Sequence, residues 1–253
     1  MRVDINADIG ESLGIYVLGD DTSLLRSVTS GSIACGYHAG DPAVMRHTVR
    51  LAREAGVAIG AHPAFPDLVG FGRRELMATP QEVEDLVLYQ IGALGAVARA
   101  EGQTLQHVKP HGALYTMAAR DSALADAIAR AVKSFDDSLI LVGLAGSELV
   151  SSGRRLGLRV AGEAFVDRAY EPDGSLVPRH RPGAVLPDAV EVVDRAVRMV
   201  RDRIVRAHDG TPVSIQPDTI CVHGDTPGAG ALAARLRTGL QEAGIRVAAL
   251  GAL

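Results

Sequence analysis

Tryptophan is absent from this chain, and aromatic residues make up only 4% of it. Proteins that grip unpaired bases stack them on aromatic rings, so that class of partner is disfavoured. Positive charge is also short: 26 Lys and Arg face 30 Asp and Glu, a net charge of -4 with histidine neutral. Binding a phosphate backbone needs the opposite balance, and no nucleic-acid partner is expected. Cysteine occurs twice, as Cys35 and Cys221, in no CxxC. That argues against a disulfide scaffold, fits a reducing compartment and leaves both thiols as small buried hydrophobes. No apolar run nears the roughly 18 residues of a membrane span. The opening Met1-Arg2-Val3-Asp4-Ile5-Asn6 lacks the apolar core of a secretion signal. A soluble cytoplasmic protein is expected, with no membrane contact. Two catalytic signatures are missing as well: the G-x-x-x-x-G-K-[ST] phosphate loop and the G-x-S-x-G elbow of a nucleophilic serine.

What is present is a long alternation of strand-like and helix-like segments. Strands are predicted at residues 3–5, 32–35, 57–61, 105–109, 139–143, 158–161 and 218–222, with a last short one within 245–250. Asp41-Pro42 and Thr79-Pro80-Gln81-Glu82 open helices with a capping side chain and a first-turn proline. The first stops at Gly56 and the second near Gly102. Residues 112–132 read as helical with an interruption at Arg120-Asp121, and 146–156 as a helix closed by Gly157. The stripe Val190, Val193, Val197, Val200, Ile204 marks an amphipathic helix from Asp188. A final helix carries Leu232, Leu236 and Leu240. Residues 63–77 and 164–187 are long irregular loops, which in compact proteins tend to carry function. With 47% hydrophobic content, 253 residues suffice for one large core, and a single domain over 1–253 is expected. Alternating β and α units imply a parallel sheet. Seven or eight such units favour a TIM-like α/β barrel over a doubly wound sheet, whose signature concentrates in one glycine-rich turn.

Chemistry is spread over the strand ends. Apolar runs close on Asn6-Ala7-Asp8, Cys35-Gly36-Tyr37-His38, Ala61-His62-Pro63, His107-Val108-Lys109-Pro110-His111, Glu163 with Asp167-Arg168, and Cys221-Val222-His223-Gly224-Asp225. A parallel barrel collects its active site from the C-terminal ends of several strands. Asn6 and Asp8, two apart, face one side of an extended chain, and Glu11 follows closely. His38, His62, His111 and His223 each follow a different strand and suit proton transfer or metal binding. Lys109 ends an apolar strand, where an ammonium needs a carboxylate such as Asp8 or Glu163, or an anionic ligand. Arg168, and one of the adjacent Arg73 and Arg74, suit a substrate carboxylate. His223 and Asp225 could pair as base and orienter, with Gly224 allowing close backbone approach. His47, His180 and His208 read as structural or surface residues.

Several of these stretches are long enough to carry a resemblance. Residues 4–11 (DINADIGE), 34–42 (ACGYHAGDP), 60–63 (GAHP), 70–74 (GFGRR), 107–115 (HVKPHGALY) and 218–225 (DTICVHGD) are similar, in order, to the signatures of the LamB/YcsF family, the A component of bacterial ATP-dependent 5-oxoprolinase. Small departures, Tyr37 for Phe, Ala64 for Gly and Val166 for Ala, remove no ionisable group. The resemblance implies a distorted seven-stranded parallel β/α barrel of the glycoside hydrolase/deacetylase type. It implies cleavage of 5-oxoproline to glutamate coupled to hydrolysis of ATP to ADP and phosphate. It also implies partner subunits B and C of the 5-oxoprolinase, with ATP and Mg2+ shared in the complex. Candidate catalytic residues are then Asp8, His38, His62, Lys109, His111 and His223. Candidate substrate-binding residues are Asn6, Arg73, Glu163, Asp167, Arg168 and Asp225. Asp8 with His38 or His62 would act on the attacking water, and Lys109 or Arg168 would hold phosphate or the substrate carboxylate.

Two other readings stay open. One is a stand-alone metal-dependent hydrolase or deacetylase with an Asp8, His38, His62 site. The other is a non-catalytic substrate-binding subunit, since no motif places ATP. Metal content and homo-oligomerisation are left open.

Overall fold

The computed structural model describes residues 1–186, 189–225 and 228–252. Six parallel strands come first: β1 (Arg2–Ile9), β2 (Ser30–Ala34), β3 (Ala58–His62), β4 (Leu105–Val108), β5 (Ile140–Leu144) and β6 (Arg159–Phe165). A short antiparallel hairpin, β7 (Ile204–Arg206) and β8 (Pro212–Ser214), stands apart from them. A seventh parallel strand, β9 (Thr219–Val222), then pairs with both β6 and β1 and closes the ring. The result is the predicted seven-stranded parallel barrel. A two-residue strand, β10 (Arg246–Val247), adds to the outer start of β1.

The helices form where capping chemistry dictates. They are α1 (Asp21–Leu25), α2 (Pro42–Ala55), α3 (Pro80–Ala100), α4 (Gly112–Ala118), α5 (Ser122–Phe135), α6 (Glu148–Arg155), α7 (Ala189–Arg201) and α8 (Ala229–Glu242). Asp41 Oδ1 accepts from the Ala43 and Val44 amides at 2.8 and 3.1 Å, and left-handed Gly56 stops α2. Thr79 and Glu82 complete the capping box of α3. Asp121 caps α5 and so splits it from α4, at the interruption the sequence marks.

Two sequence assignments change here. The predicted helix from Asp188 begins at a residue outside those described, and it ends at Arg201 rather than reaching Ile204. Arg203 takes a left-handed φ of 58°, which breaks the helix and sends Ile204 into the unpredicted hairpin. Strands β1 and β6 also run four residues past their predicted ends. The extension matters because it draws Asn6, Asp8 and Glu163 into the barrel wall.

Strand β1 shows how the barrel is sorted. Val3, Ile5, Ala7 and Ile9 are fully buried in the main core. The alternating residues Asp4, Asn6 and Asp8 point the other way, and Asn6 contacts Glu163 and Thr219 across the interior. Period two in a strand assigns one face to each set. The opposite end of the interior carries a small apolar cluster of Ile140, Val142, Ala161 and Leu250, the last from a 3-10 turn after β10, beside a cleft edged by Arg2, Arg159 and Asp218.

Candidate functional site

Lys109 is 2% exposed and sits at the centre of the polar interior. Its Nζ lies 2.5 Å from Asp8 Oδ1, 2.7 Å from Asn6 Oδ1 and 3.1 Å from Glu163 Oε1. The three donors of the ammonium go to Asn6, Glu163 and the Cys221 sulfur, with Asp8 held beside them as an ion pair. Burial alone would favour the neutral amine, but the surrounding anions, Asp8 foremost, hold the Lys109 pKa well above its usual range. Burial likewise opposes ionisation of Asp8, yet His62 and Lys109 hold that carboxyl well below the usual range. The pair is therefore charged on both sides.

The network runs deeper than the strand ends. Asn6 Nδ2 donates to Glu163 Oε1 at 2.9 Å and to Thr219 Oγ1 at 2.7 Å. Thr219 donates onward to Asp4, which also accepts from the Thr29 and Ser30 hydroxyls. Burial raises the Asp4 pKa against these hydrogen bonds. Burial also raises the Cys221 thiol well above its usual range, although its Sγ lies 3.4 Å from Lys109 Nζ. It is buried, as expected, but it accepts a hydrogen bond from Lys109 and does not pack against hydrocarbon alone. Burial raises the Cys35 thiol to about 12 in the same way.

Beside this network, three histidines and a glutamate are packed together. His62 Nδ1 donates to the Lys109 carbonyl at 2.7 Å, and His111 Nε2 donates to the Phe71 carbonyl at 2.8 Å. Their remaining nitrogens face each other at 3.0 Å. His38 stacks on His111 with centroids 3.9 Å apart, and its Nε2 lies 3.4 Å from Glu11 Oε1. Burial lowers the pKa of both His38 and His111 well below the usual value. Phe71 presents its carbonyl from a left-handed backbone, φ 54°. Such strain in a non-glycine residue persists only where surroundings enforce it. Gly72 follows at φ 64°, and a Cβ there would lie 2.9 Å from the His111 ring.

His223 Nδ1 and Asp167 Oδ2 are 2.7 Å apart, the arrangement of a base with its orienter. Burial opposes ionisation of Asp167, but His223 lowers its pKa. A cavity of about 550 Å³ opens over these groups. It is lined by the buried Asp8, His62, Lys109, His111, Glu163 and His223, and by Arg73, Arg168, Arg179 and His180 from the two long loops.

The LamB/YcsF family model matches residues 3–253. The chain belongs to the LamB/YcsF family. A Chloroflexus aggregans protein, named as the A component of 5-oxoprolinase, is 59% identical over 98% of both chains. A lactam utilization protein from Thermus thermophilus has a solved structure similar to this one, with a TM-score of 0.92 and 51% identity over 98% of this chain and 100% of that one. A family 4 carbohydrate esterase from Streptomyces lividans reaches a TM-score of 0.50 at 13% identity, covering 97% of this chain and 91% of its own. That last likeness concerns the fold alone.

Within this LamB/YcsF chain, the segments carrying the family resemblance converge on one place. Asn6, Asp8, His62, Lys109, His111, Glu163 and His223 form the site's buried base, with Asp167 behind His223. His38 is brought to His111 but does not line the cavity. Arg73 lines the cavity and pairs with Asp225 at 2.5 Å, whereas Arg74 turns away to Asp67. Arg168 lines the cavity too, but its guanidinium donates to the Val177 and Ala184 carbonyls of its own loop. Burial lowers its pKa to about 10.

One expectation is corrected. Asp225 does not orient His223, because Arg73 holds it and Asp167 takes that role. Gly224 does allow close approach, since a Cβ there would lie 2.2 Å from the Asp8 carbonyl oxygen. His180 is exposed, as expected of a surface residue, and also borders the cavity. Asp4, Thr219 and Tyr115 are site residues that lie within the stretches carrying the resemblance but are not among the candidate site residues, and Glu11 stands out there only as a neighbour of Asp8. Burial, with the adjacent Glu163, raises the Tyr115 phenol well above its usual range. The alternation in Val3-Asp4-Ile5-Asn6-Ala7-Asp8-Ile9 is the signal that could have found Asp4.

Among the described residues, no helix is long and apolar enough to cross a membrane.

Proposed function

We propose that this chain is the component of an ATP-dependent 5-oxoprolinase that binds the lactam and opens its ring, converting 5-oxoproline to glutamate with ATP consumed to ADP and phosphate. The observation that carries the reading is the cavity over Asp8, Lys109 and the His223–Asp167 pair, in a chain 59% identical to a protein named as the A component of 5-oxoprolinase. A lactam carbonyl is deactivated by amide resonance. Phosphorylation at its oxygen would make the ring carbon electrophilic. Water then adds to that carbon and gives its proton to His223; the C–N bond breaks with the electron pair leaving on nitrogen, which takes that proton back from His223, and the acyl phosphate so formed is hydrolysed by a second water to glutamate and phosphate. Oriented by Asp167, His223 is better placed as the base than Asp8, which its ion pair with Lys109 keeps weakly basic. Arg73 and Arg179 are the cavity cations that suit the substrate carboxylate or the phosphate.

ATP, with Mg2+, is bound in the complex with subunits B and C. This agrees with the missing phosphate loop and with the relative's name, which makes that protein one component of a larger enzyme. The test is turnover of ATP plus 5-oxoproline by this chain with and without those partners, in wild type and His223→Gln. Glutamate release only in the full complex, lost in the variant, is expected. Wild-type turnover by folded His223→Gln would remove the ring-opening role. Retained 5-oxoproline binding with chemistry unaffected by every cavity variant would favour the binding-only reading.

A further inference from the structure

We infer that Glu11, His38, His62 and His111 form a binding site for one divalent first-row transition-metal ion. One ligand atom from each lies within 4.8 Å of the others, and all four residues are buried. The decisive feature is where the protons are. The Lys109 carbonyl can only accept, so His62 carries its proton on Nδ1, and the Phe71 carbonyl fixes the His111 proton on Nε2. In the neutral rings this leaves lone pairs on His62 Nε2 and His111 Nδ1, which point at each other across 3.0 Å. Glu11 Oε1 adds another acceptor 3.7 Å from His111 Nδ1 and has no hydrogen-bond donor. His38, 1% exposed, makes no hydrogen bond through either ring nitrogen. Asp8 Oδ1, 3.4 Å from His62 Nε2, is a further acceptor at this point, and acceptors that converge in this way call for a cation among them, either a metal ion or a proton on the His62–His111 pair. Backbone carbonyls behind two of the rings are the outer support that metal-bound histidines use to fix tautomer and orientation.

Three imidazoles and one carboxylate suit Zn2+, Co2+ or Ni2+, whereas Mg2+ and Ca2+ prefer all-oxygen shells. The neighbouring group of Asp8, Cys221 and His223 is a poorer cage. Lys109 Nζ lies 2.5 Å from Asp8 and 3.4 Å from Cys221 Sγ, and would repel an ion there. His62 and His111 also line the cavity, so the ion would sit at its edge. The inference rests on the geometry of these four residues and not on the lactam reading, and its test needs no turnover.

The full chain, stripped with a chelator, is titrated with Co2+ and followed by visible d–d absorption, with Mg2+ as the contrasting probe. One Co2+ per chain and no competition by Mg2+ are expected. Glu11→Gln and His38→Gln should each weaken Co2+ binding by more than the roughly 10–100-fold that loss of an outer-shell partner costs. Nitrogen-15 NMR of the wild-type imidazoles covers the case in which a variant fails to fold. It should show His62 Nε2 and His111 Nδ1 unprotonated and shifted by Zn2+. Absence of Co2+ binding by wild type, binding undiminished in both folded variants, or a proton between His62 and His111 that Zn2+ does not displace would each overturn the site.

Discussion

The two ends of the barrel interior are built from the same parallel strands and differ in kind. At one end Ile140, Val142, Ala161 and Leu250 make a hydrocarbon floor. At the other, Asp8, Lys109, Glu163 and Asn6 make a buried charged network. Hydrocarbon of similar volume would often be as stabilising as a buried ion pair, or more so. A barrel shaped only for stability would therefore continue the floor upward. That it does not, at the end where the cavity opens, marks the charged half as a working surface whose desolvation cost the rest of the fold offsets.

The comparison is broken most directly at its centre. Lys109→Met removes the one cation from a nest that holds both Asp8 and Glu163. Leaving a buried charge unpaired costs about 3–5 kcal/mol. Urea denaturation should show a loss of that size, and turnover of the assembled complex should vanish. Unchanged stability would mean the two carboxylates do not depend on this ammonium.

The floor supplies the contrasting case. Ile140→Ala removes a buried side chain from an apolar cluster that borders a cleft of about 270 Å³, and it should cost about 2 kcal/mol, the low end for an isoleucine truncation, with turnover per folded molecule unchanged. A stability loss without a catalytic one is the signature of the floor, and both together the signature of the network. If Ile140→Ala lowered turnover of the folded enzyme as well, the separation of the two ends would fail.

Asp167→Asn tests the network at finer grain. The amide still packs behind His223 but no longer stabilises a charged imidazole or fixes its tautomer. The expected outcome is turnover lowered about 100-fold or more, with a stability change of about 1 kcal/mol. Wild-type turnover would remove His223 from the base role.

The sequence made the ring of strands legible, and with it most of the cavity's base. Capping at Asp41 and Thr79, and the break at Asp121, depend on local side-chain chemistry, and the structure keeps all three. The Lys109 partners followed from elementary electrostatics, because a buried ammonium needs carboxylates. What stayed hidden depends on contacts far apart in sequence. Asp167 rather than Asp225 orients His223 because of how two loops fold over each other, joined by Arg73. The hairpin after α7 was hidden because Ile204 continues a helical stripe until Arg203 turns left-handed. Lone pairs converging between His62 and His111 are visible only once the carbonyls behind them are placed.

A charge cluster outside the barrel shows what the interior would be without its chemistry. Glu101, at the end of α3, is paired with Arg46 and Arg50 of α2, and its side chain is 7% exposed whereas the arginines are about half exposed. Hydrogen bonds from Arg50 and Arg46 lower its pKa to about 2 from the ordinary 4.5. A carboxyl whose folded pKa is depressed adds stability that is fully present above its unfolded pKa and is lost as pH falls through the folded one. Wild type should therefore melt higher than Glu101→Gln above about pH 5, and the gap should close as pH drops from 4.5 toward 2. The gap should also shrink with added salt, because half-exposed arginines are screened, whereas the Lys109→Met deficit should not. Equal salt sensitivity of the two would mean that the interior network is wetted like the surface one, and the contrast between the two ends of the barrel would lose its basis in burial.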